Sequence, residues 1–422
     1  MRYYMLVLIT ALAALAAGQI CAEGENLPGL KLVRMPEKAP EGTIQFSNVG
    51  AGAFDPAIWQ AGTLNLLYDQ QSPLLEPLPG DFRNIYAPSA VQLPGKAGWR
   101  VFYGAWDGTA DGHDRIYSVT TRDFRTFANR HTVIEHGPFH HVCNVNAIPL
   151  PDASLMMVCT AYPDSRGLNK PVIFRSPDGR VWNGTAAPYT ASTDDFILME
   201  GYDGFTGADI NGMNVLLFDN GVYRLYFGDF KNFKGVYRAS SKDGRHFTFD
   251  GVSLERSLAV NDVKKFRVGQ GSHYLMGLHM NGDTLWYSLS SNGQDFQPVQ
   301  TLAKNLGAED RYIVAHGWVV EGDQELEGRR LLGFLYGAGS HNSLTMNRIF
   351  ARWLQKKVEL VMEDGSVLSA SSAHGPNAQL ISLPEGNSIQ ATIRVYAEDG
   401  KTLITENGPF NLQSGKTYRL SW

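Results

Sequence analysis

The segment S-K-D-G-R-H-F at Ser241–Phe247 is one of four related segments that decide the fold. The other three are T-R-D-F-R-T-F at Thr121–Phe127, S-P-D-G-R-V-W at Ser176–Trp182 and S-S-N-G-Q-D-F at Ser290–Phe296. Asp or Asn followed by Gly suits the positive-φ positions of a hairpin turn, and the final aromatic residue returns to an apolar layer. The segments start at residues 121, 176, 241 and 290, and these spacings of 55, 65 and 49 residues are typical of one propeller blade.

Each of these turns lies in the same order of predicted strands. An alternating apolar strand comes first, followed by an aromatic-rich strand, a third strand that ends in the turn segment, and a short fourth strand. Residues 313–357 keep this order without the turn segment, and a shorter unit, F-D-P-A-I-W-Q/L-N-L-L-Y-D-Q, precedes the others. The same strands could form a sandwich, but the blade-length repeat favours a propeller. We therefore expect an all-β fold with a β-propeller of five or six blades over residues 46–355, and a small C-terminal β-sandwich domain over residues 356–422.

The N-terminus and the overall charge restrict the location and the partners. Residues 1–22 have a short positive start at Arg2 and the apolar run Met5–Ala17, which is too short to span a membrane. This pattern predicts a signal peptide and a secreted or periplasmic protein; a lipid anchor at Cys21 is disfavoured because Ile20 is bulky. The net charge of −5 offers no basic surface for nucleic acid. We expect a monomer without a membrane span.

Cysteine and histidine spacing gives no sign of a required cofactor. The mature chain would keep Cys143 and Cys159, for which we predict two buried free thiols rather than a disulfide. No Cys/His spacing indicates a bound transition metal. A structural calcium ion in the propeller channel stays an open prediction, because Asn outnumbers Asp around the channel and a hard cation prefers oxygen ligands.

Polar residues recur at the starts of the predicted inner strands. In a propeller these starts surround one end of the central channel, so residues far apart in sequence meet there. Taken singly, each such residue is more often a loop cap than a catalytic group. As a set they indicate a functional funnel: Asp55, Asn84, Tyr86, His140, His141, Asn144, Asn146, Asp209, Asn211, Asn214, Asp262 and His316.

Three short motifs resemble a known family. F-D-P-A-I-W at Phe54–Trp59, I-Y-A-P-S-A-V at Ile85–Val91 and A-H-G-W at Ala315–Trp318 resemble segments of the arabinanase/invertase-type propeller glycosidases of glycoside hydrolase families 43 and 32. The resemblance spans about residues 50–350. It implies that Asp55 is a general base or nucleophile and that His316 faces the channel. Where family 43 has an Asp that modulates a pKa, this chain has Asn144 and Asn146.

Glycoside cleavage requires one protonated and one ionised carboxyl group on either side of the bond. We expect Asp55 to be ionised and Asp209 to be the acid, with Glu200 as the alternative acid. The residues expected to bind a carbohydrate substrate are Tyr86, Trp106, Asp107, His140, His141, Asn144, Asn214 and His316. Two alternatives to a secreted glycoside hydrolase stay open, namely a calcium-dependent lactonase-like propeller hydrolase and a non-catalytic carbohydrate-binding propeller.

Overall fold

The computed structural model describes residues 30–31, 42–46, 49, 52–77, 82–107, 113–163, 168–342, 344, 347–386 and 388–422. The predicted signal peptide, including Cys21, lies outside the described residues. The described part of the chain is almost entirely β-structure, with the α-helix Pro56–Ala61 and the 3₁₀ turns Pro94–Lys96, Thr193–Asp195 and Phe205–Gly207. Among these residues, no helix has both the length and the hydropathy of a membrane span.

Five antiparallel sheets follow one another along the centre of the chain, and we number them I to V. Their strands are Phe82–Gln92, Trp99–Asp107, Arg115–Thr121 and Phe127–Glu135 in sheet I; His141–Pro149, Leu155–Tyr162 and Lys170–Ser176 in sheet II; Val215–Asp219, Val222–Phe227, Val236–Ser241 and His246–Leu254 in sheet III; Ala259–Val268, Gly271–His279, Thr284–Ser290 and Gln300–Lys304 in sheet IV; and Tyr312–Glu321, Arg330–Gly339 and Arg348–Leu354 in sheet V. Short strands extend this set: Tyr189–Thr190 pairs in parallel with sheet I, Leu198–Glu200 pairs in parallel with sheet III, and Val181–Trp182 pairs with Thr185–Ala186 beside sheet II.

The repeated segments form the turns that follow the third strand, as their chemistry predicts. In the copy at Ser241–Phe247, the Asp243 carboxylate accepts hydrogen bonds from the backbone N–H groups of Arg245 and His246, both at 2.8 Å. Gly244 has a φ of +73°, which glycine adopts without strain. The copy at Thr121–Phe127 places Phe124 at this position with a φ of +56°. The local sequence thus sets the same turn four times.

The first strand of each sheet contacts the first strands of its two neighbours. These inner strands, I to V, are Phe82–Gln92, His141–Pro149, Val215–Asp219, Ala259–Val268 and Tyr312–Glu321. Strand I contacts strand II, and the contacts continue through strands III and IV to strand V, which contacts strand I again. The five inner strands therefore form a closed ring, a β-propeller-like arrangement.

Asp262 on inner strand IV joins three sheets from inside the ring. Its carboxylate accepts a hydrogen bond from Asn146 Nδ2 on strand II at 3.1 Å and another from the Trp318 N–H on strand V at 3.0 Å. The Lys264 ammonium lies 2.8 Å from the same carboxylate. Asp262 is 1% exposed, so these partners replace the water that the charge has lost.

Two further hydrogen bonds extend this connection around the ring. Asn146 Oδ1 accepts from the Leu216 N–H on strand III at 3.0 Å. Ser89 Oγ on strand I accepts from the Ala147 N–H on strand II at 2.9 Å. Strands V and I close the ring at Gly317, where a Cβ atom would lie only 2.1 Å from the Pro88 carbonyl oxygen.

The N-terminal unit F-D-P-A-I-W-Q does not form the inner strand that the sequence pattern predicts. It forms the helix Pro56–Ala61, because Asp55 accepts a hydrogen bond from the Ala57 N–H at 2.9 Å as the N-cap and Pro56 occupies the first turn. The following strand, Leu66–Asp69, pairs with Arg348–Leu354 and becomes the fourth strand of sheet V. The strand Leu66–Asp69 thus completes sheet V instead of belonging to a separate, abbreviated blade.

The C-terminal residues form one further sheet and extend sheet V. The further sheet contains Lys357–Met362, Val367–Ser369, Ile389–Tyr396 and Leu403–Leu412. Sheet V continues through Ser372–Ala373, Ala378–Ser382 and Thr417–Ser421 to the N-terminal strand Gly42–Gln45. Phe46 and Val49 pack into the apolar cluster of this C-terminal part. The remaining short strands, Leu30–Lys31 and Glu76–Pro77, pair with each other.

Cys143 and Cys159 are buried free thiols, which confirms the expectation from the sequence. In the register of sheet II, Cys143 pairs with Thr160, and a bulge follows at Asn144 and Val145, which together lie opposite Cys159.

The close approach at Gly317 predicts a sharp cost for any side chain there. Gly317→Ala should lower the free energy of unfolding by about 2–3 kcal/mol, because the new methyl group meets a backbone oxygen that cannot move without opening the ring. Gly307→Ala is the matched control, since nothing lies within 4 Å of its added Cβ, and it should change stability by less than about 0.5 kcal/mol. Equal effects of the two substitutions in denaturant titrations would contradict the tight closure.

Candidate active site

Four of the five inner strands are irregular near their starts. The pairing register shifts around Ala87 on strand I, Asn144 on strand II, Asn261 on strand IV and Val314 on strand V. Ala87 has a φ of +49° and Asn144 a φ of +55°, which are strained values for residues with a Cβ. Bulges and strained residues concentrate where a fold aims side chains at a ligand. We call this end of the ring the mouth.

A buried carboxylate lies at the mouth between a tyrosine and a histidine. Asp114 Oδ2 accepts a hydrogen bond from the Tyr86 hydroxyl at 2.9 Å and lies 3.1 Å from His141 Nδ1. Burial and the nearby Asp114 charge raise the pKa of Tyr86 well above its usual value. The phenol therefore stays protonated and donates to the carboxylate, which stabilises the ionised form of Asp114.

A second hydrogen-bonded group connects sheet II to the loop before strand III. Asn144 Nδ2 donates to the Tyr162 hydroxyl at 3.2 Å, and that hydroxyl donates to Asn211 Oδ1. The Tyr162 ring lies edge-on to the His141 ring, with centroids 5.4 Å apart. The two groups are thus adjacent parts of one polar surface.

Asp209 lies in the same loop, half-buried and two residues before Asn211. Its Oδ1 accepts hydrogen bonds from the Asn169 backbone N–H at 3.2 Å and from Asn169 Nδ2 at 2.7 Å. Its backbone carbonyl accepts from the Phe230 N–H at 2.8 Å. Asp209 is therefore a second carboxylate near the mouth, hydrogen-bonded by Asn169 and close enough to the Lys170 ammonium to interact with it electrostatically.

Phe230 provides an aromatic surface beside this loop that sequence reasoning did not identify. Its ring stacks on Phe233 with centroids 4.5 Å apart and an interplanar angle of 14°, and it is 39% exposed. A Cβ added at Gly212 would lie 3.3 Å from the Phe230 ring, and the Gly212 N–H donates to Asn211 Oδ1. The only sequence signal was an aromatic pair in the G-D-F-K-N-F segment, whose position depends on the folded loop.

Two of the predicted catalytic carboxylates do not lie at the mouth. Asp55 is exposed at the start of the helix, beside Leu331 and Glu398 around a small cavity of about 150 Å³. Glu200 is exposed on Leu198–Glu200, which pairs with the last strand of sheet III, the strand farthest from the ring. The prediction of Asp55 at an inner-strand start was wrong because Asp-Pro caps a helix here.

His316 also differs from its expected orientation. Its ring is fully buried on the face of sheet V that packs against sheet IV, where a Cβ added at Gly277 would lie 2.2 Å from Nε2. It contacts Trp318 and Phe334 edge-on, with centroids 5.0 and 5.6 Å away. His316 lies in a regularly paired part of its strand, opposite Tyr336. Its side chain therefore points towards the neighbouring sheet rather than into the channel.

The other predicted binding residues divide into two groups. Tyr86, His140, His141 and Asn144 come together at the mouth, with the His140 and His141 ring centroids 4.3 Å apart. Asn214 is fully buried and donates to Thr160 Oγ1 at 2.8 Å, so it joins sheets II and III. Trp106 is a buried residue of sheet I, and Asp107 ends its strand with a side chain outside the described part.

Within the described ranges, no cluster of three His, Cys, Asp or Glu residues is arranged to hold a metal ion. The structural calcium ion stays a prediction.

Solved structures similar to this chain include several glycosidases. A glycosyl hydrolase from Bacteroides ovatus is 14% identical, with a TM-score of 0.45, over 76% of this chain and 96% of its own. The catalytic domain of a Coprinopsis cinerea GH62 α-L-arabinofuranosidase is 15% identical, with a TM-score of 0.47, over 69% and 98%. The Bombyx mori GH32 β-fructofuranosidase BmSUC1 is 10% identical, with a TM-score of 0.44, over 86% and 93%.

Neither a protein-family model nor a curated protein sequence matches the chain. At these identities and TM-scores, the structural likeness assigns neither an activity nor a substrate.

The buried histidines predict acid sensitivity. Burial lowers the pKa of His279 to about 4 and that of His316 well below its usual value. Below pH ~6.5 these histidines become protonated in the unfolded chain but stay neutral in the native protein. The free energy of unfolding should therefore fall as the pH falls from ~6.5 to ~4. His316→Leu removes one of these protonation sites and should reduce the slope by up to about 1.4 kcal/mol per pH unit.

Denaturant titrations between pH ~7 and ~4.5 measure this slope. His341→Gln, at an exposed position, is the control and should leave the slope unchanged. An identical slope in wild type and His316→Leu would show that His316 does not resist protonation in the folded state.

Proposed function

We propose that this chain is a secreted glycoside hydrolase whose mouth binds a carbohydrate and whose five central sheets are the blades of a five-bladed propeller. The observation that carries the proposal is the buried Asp114 carboxylate, held by Tyr86 and His141 at the strained end of the ring. The closed ring of five inner strands supports the number of blades. We assign the propeller to residues from Phe54 to about Gln355. The C-terminal β-sandwich of residues 356–422 would then include Phe46 and Val49, which pack into its core.

The mouth has the groups that carbohydrate recognition uses. Sugars present hydroxyl groups, which pair with amides, imidazoles and phenols, and C–H faces, which pack on aromatic rings. Asn144, Tyr162 and Asn211 supply the first kind of group, and Phe230 supplies the second. A sugar ring on Phe230 would lie beside Asp209, because the two residues are joined by a backbone hydrogen bond.

We assign the two carboxyl roles to Asp114 and Asp209. The Tyr86 hydroxyl and His141 favour the ionised form of Asp114, which suits a base or nucleophile. Asp209 is the other carboxyl group near the mouth, and we assign it as the proton donor to the leaving oxygen because it lies in the loop beside Phe230, where a sugar ring would pack.

The test is hydrolysis of a panel of polysaccharides and aryl glycosides. Wild type should cleave at least one substrate, and Asp114→Asn and Asp209→Asn should each lower kcat/KM by about 100-fold or more, because each removes one of the two carboxyl groups. The aryl glycoside separates the roles: with a good leaving group, Asp209→Asn should lose less activity than Asp114→Asn, since less proton donation is needed.

Asp55→Asn and Glu200→Gln are the matched controls. Both residues lie away from the mouth, and Asn caps a helix as well as Asp does, so both variants should keep full activity. Activity that survives in Asp114→Asn but disappears in Asp55→Asn would contradict the assigned site.

A non-catalytic carbohydrate-binding propeller is the second candidate. The amide side chains of Asn144 and Asn211 favour it, because they bind hydroxyl groups without supplying a proton. Phe230→Ala distinguishes this case: it should weaken oligosaccharide binding about 3- to 10-fold by calorimetry, whether or not the wild type hydrolyses the ligand. Binding without turnover on the whole panel would establish the second candidate.

A further inference from the structure

A second cavity lies at the opposite end of the ring from the mouth. Its volume is about 730 Å³, within the usual range of small-molecule sites. Residues of all five inner strands line it: Ala90–Gln92, Ala147–Pro149, Leu217–Phe218, Val263–Lys264 and Val320. We call it the distal cavity.

Two buried arginines line the distal cavity without a carboxylate partner. Arg100 and Arg329 are each 7% exposed, and neither guanidinium has a carboxylate oxygen within 4 Å among the described residues. Each donates a hydrogen bond to a backbone carbonyl, Arg100 to Gly179 at 2.9 Å and Arg329 to Lys265 at 2.6 Å. The Nε atoms of both are buried without a hydrogen-bond partner in the described part of the chain.

Such arginines are unfavourable in an empty cavity. A guanidinium loses hydration on burial, and arginine is seldom this buried without a paired charge. The cost is visible at Arg329, where burial lowers the pKa to about 10. At that value the side chain is still a cation at neutral pH, and a bound anion would offset part of the cost of its burial.

The carboxylates that line the same cavity are already engaged. Asp178 accepts the backbone N–H groups of Arg180 and Val181. Glu325 holds the Lys265 ammonium with both oxygens, at 3.0 and 2.9 Å.

Asp323 also lines the cavity and accepts the Glu325 N–H at 2.8 Å. The Lys264 ammonium, 6% exposed, is paired with Asp262. The two arginines therefore have carboxylates nearby but no direct ion pair within the described ranges, and the exposed Lys96 adds positive charge at the rim.

We propose that the distal cavity is a binding site for a small organic anion with one carboxylate or phosphate group. Guanidinium groups bind both oxyanions through paired N–H donors. The remaining walls include Leu93, Leu150 and Phe218, which suit a compact apolar body rather than a bare ion. This site does not depend on the proposed hydrolase activity, because it shares no residue with the mouth.

Calorimetric titration of the full chain tests this site with three probes of similar size. Benzoate carries a carboxylate, phenyl phosphate carries a phosphate, and benzyl alcohol is the uncharged control. At least one of the two anions should bind saturably with a Kd below ~10 mM, and benzyl alcohol should not bind to this cavity. Arg329→Gln and Arg100→Gln should each weaken the anion at least about 10-fold, whereas Arg245→Gln, at an exposed position outside the cavity, should have no effect.

Two further variants separate this site from the mouth and from misfolding. Phe230→Ala should leave anion affinity unchanged, since it lies at the mouth. Lys96→Ala changes only an exposed rim residue and should weaken the anion even if the buried arginine variants fail to fold. The proposal is overturned if wild type binds neither anion, or if Lys96→Ala and the folded arginine variants bind as tightly as wild type.

Discussion

The buried carboxylate of Asp262 is the constraint on which the central ring depends. A charge that is 1% exposed needs partners for its oxygens, and the partners come from strands II and V as well as from Lys264 on its own strand. Removing one partner would leave the buried charge with fewer groups to stabilise it, which costs more than losing an exposed ion pair. The inner strands are therefore held in one mutual register, rather than merely packed through apolar contacts between sheets.

That fixed register allows the mouth to be irregular. The strained φ values of Ala87 and Asn144 lie within a few residues of Ser89 and Asn146, which join neighbouring strands by hydrogen bonds. Strain persists only where the surrounding structure determines it strongly.

The same ring separates two polar regions of different charge: the mouth presents Asp114 beside amides and imidazoles, and the distal cavity presents buried arginines. We infer that a propeller of this kind can bind two chemically different ligands at its two ends.

Much of the fold could be predicted from local sequence. The four S/T-x-D/N-G/F turns fixed the strand order because their chemistry is contained in seven residues, and Asp243 and Gly244 behave as that chemistry requires. The site was harder to predict. The prediction for Asp55 rested on an Asp-Pro motif that resembles the glycosidase families. The same two residues are also a strong helix start, and here they begin a helix. The W-D-G-T-A-D-G-H-D-R segment does indicate that Asp114 lies at the rim of the mouth, but its contact with Tyr86 forms only in the folded ring. No local pattern distinguishes Phe230 from an ordinary core residue, because its position depends on a loop of sheet III.

The most direct test of the account is a crystal structure of Asp114→Asn with an oligosaccharide that the wild type binds or cleaves. The account predicts a closed ring of five inner strands, with Asp262 bonded to Asn146 and to the Trp318 N–H. It also predicts sugar density at the mouth, packed on Phe230 and within hydrogen-bonding distance of residue 114. An open or six-membered ring, or a sugar bound beside Asp55 or Glu200 with the mouth empty, would contradict it.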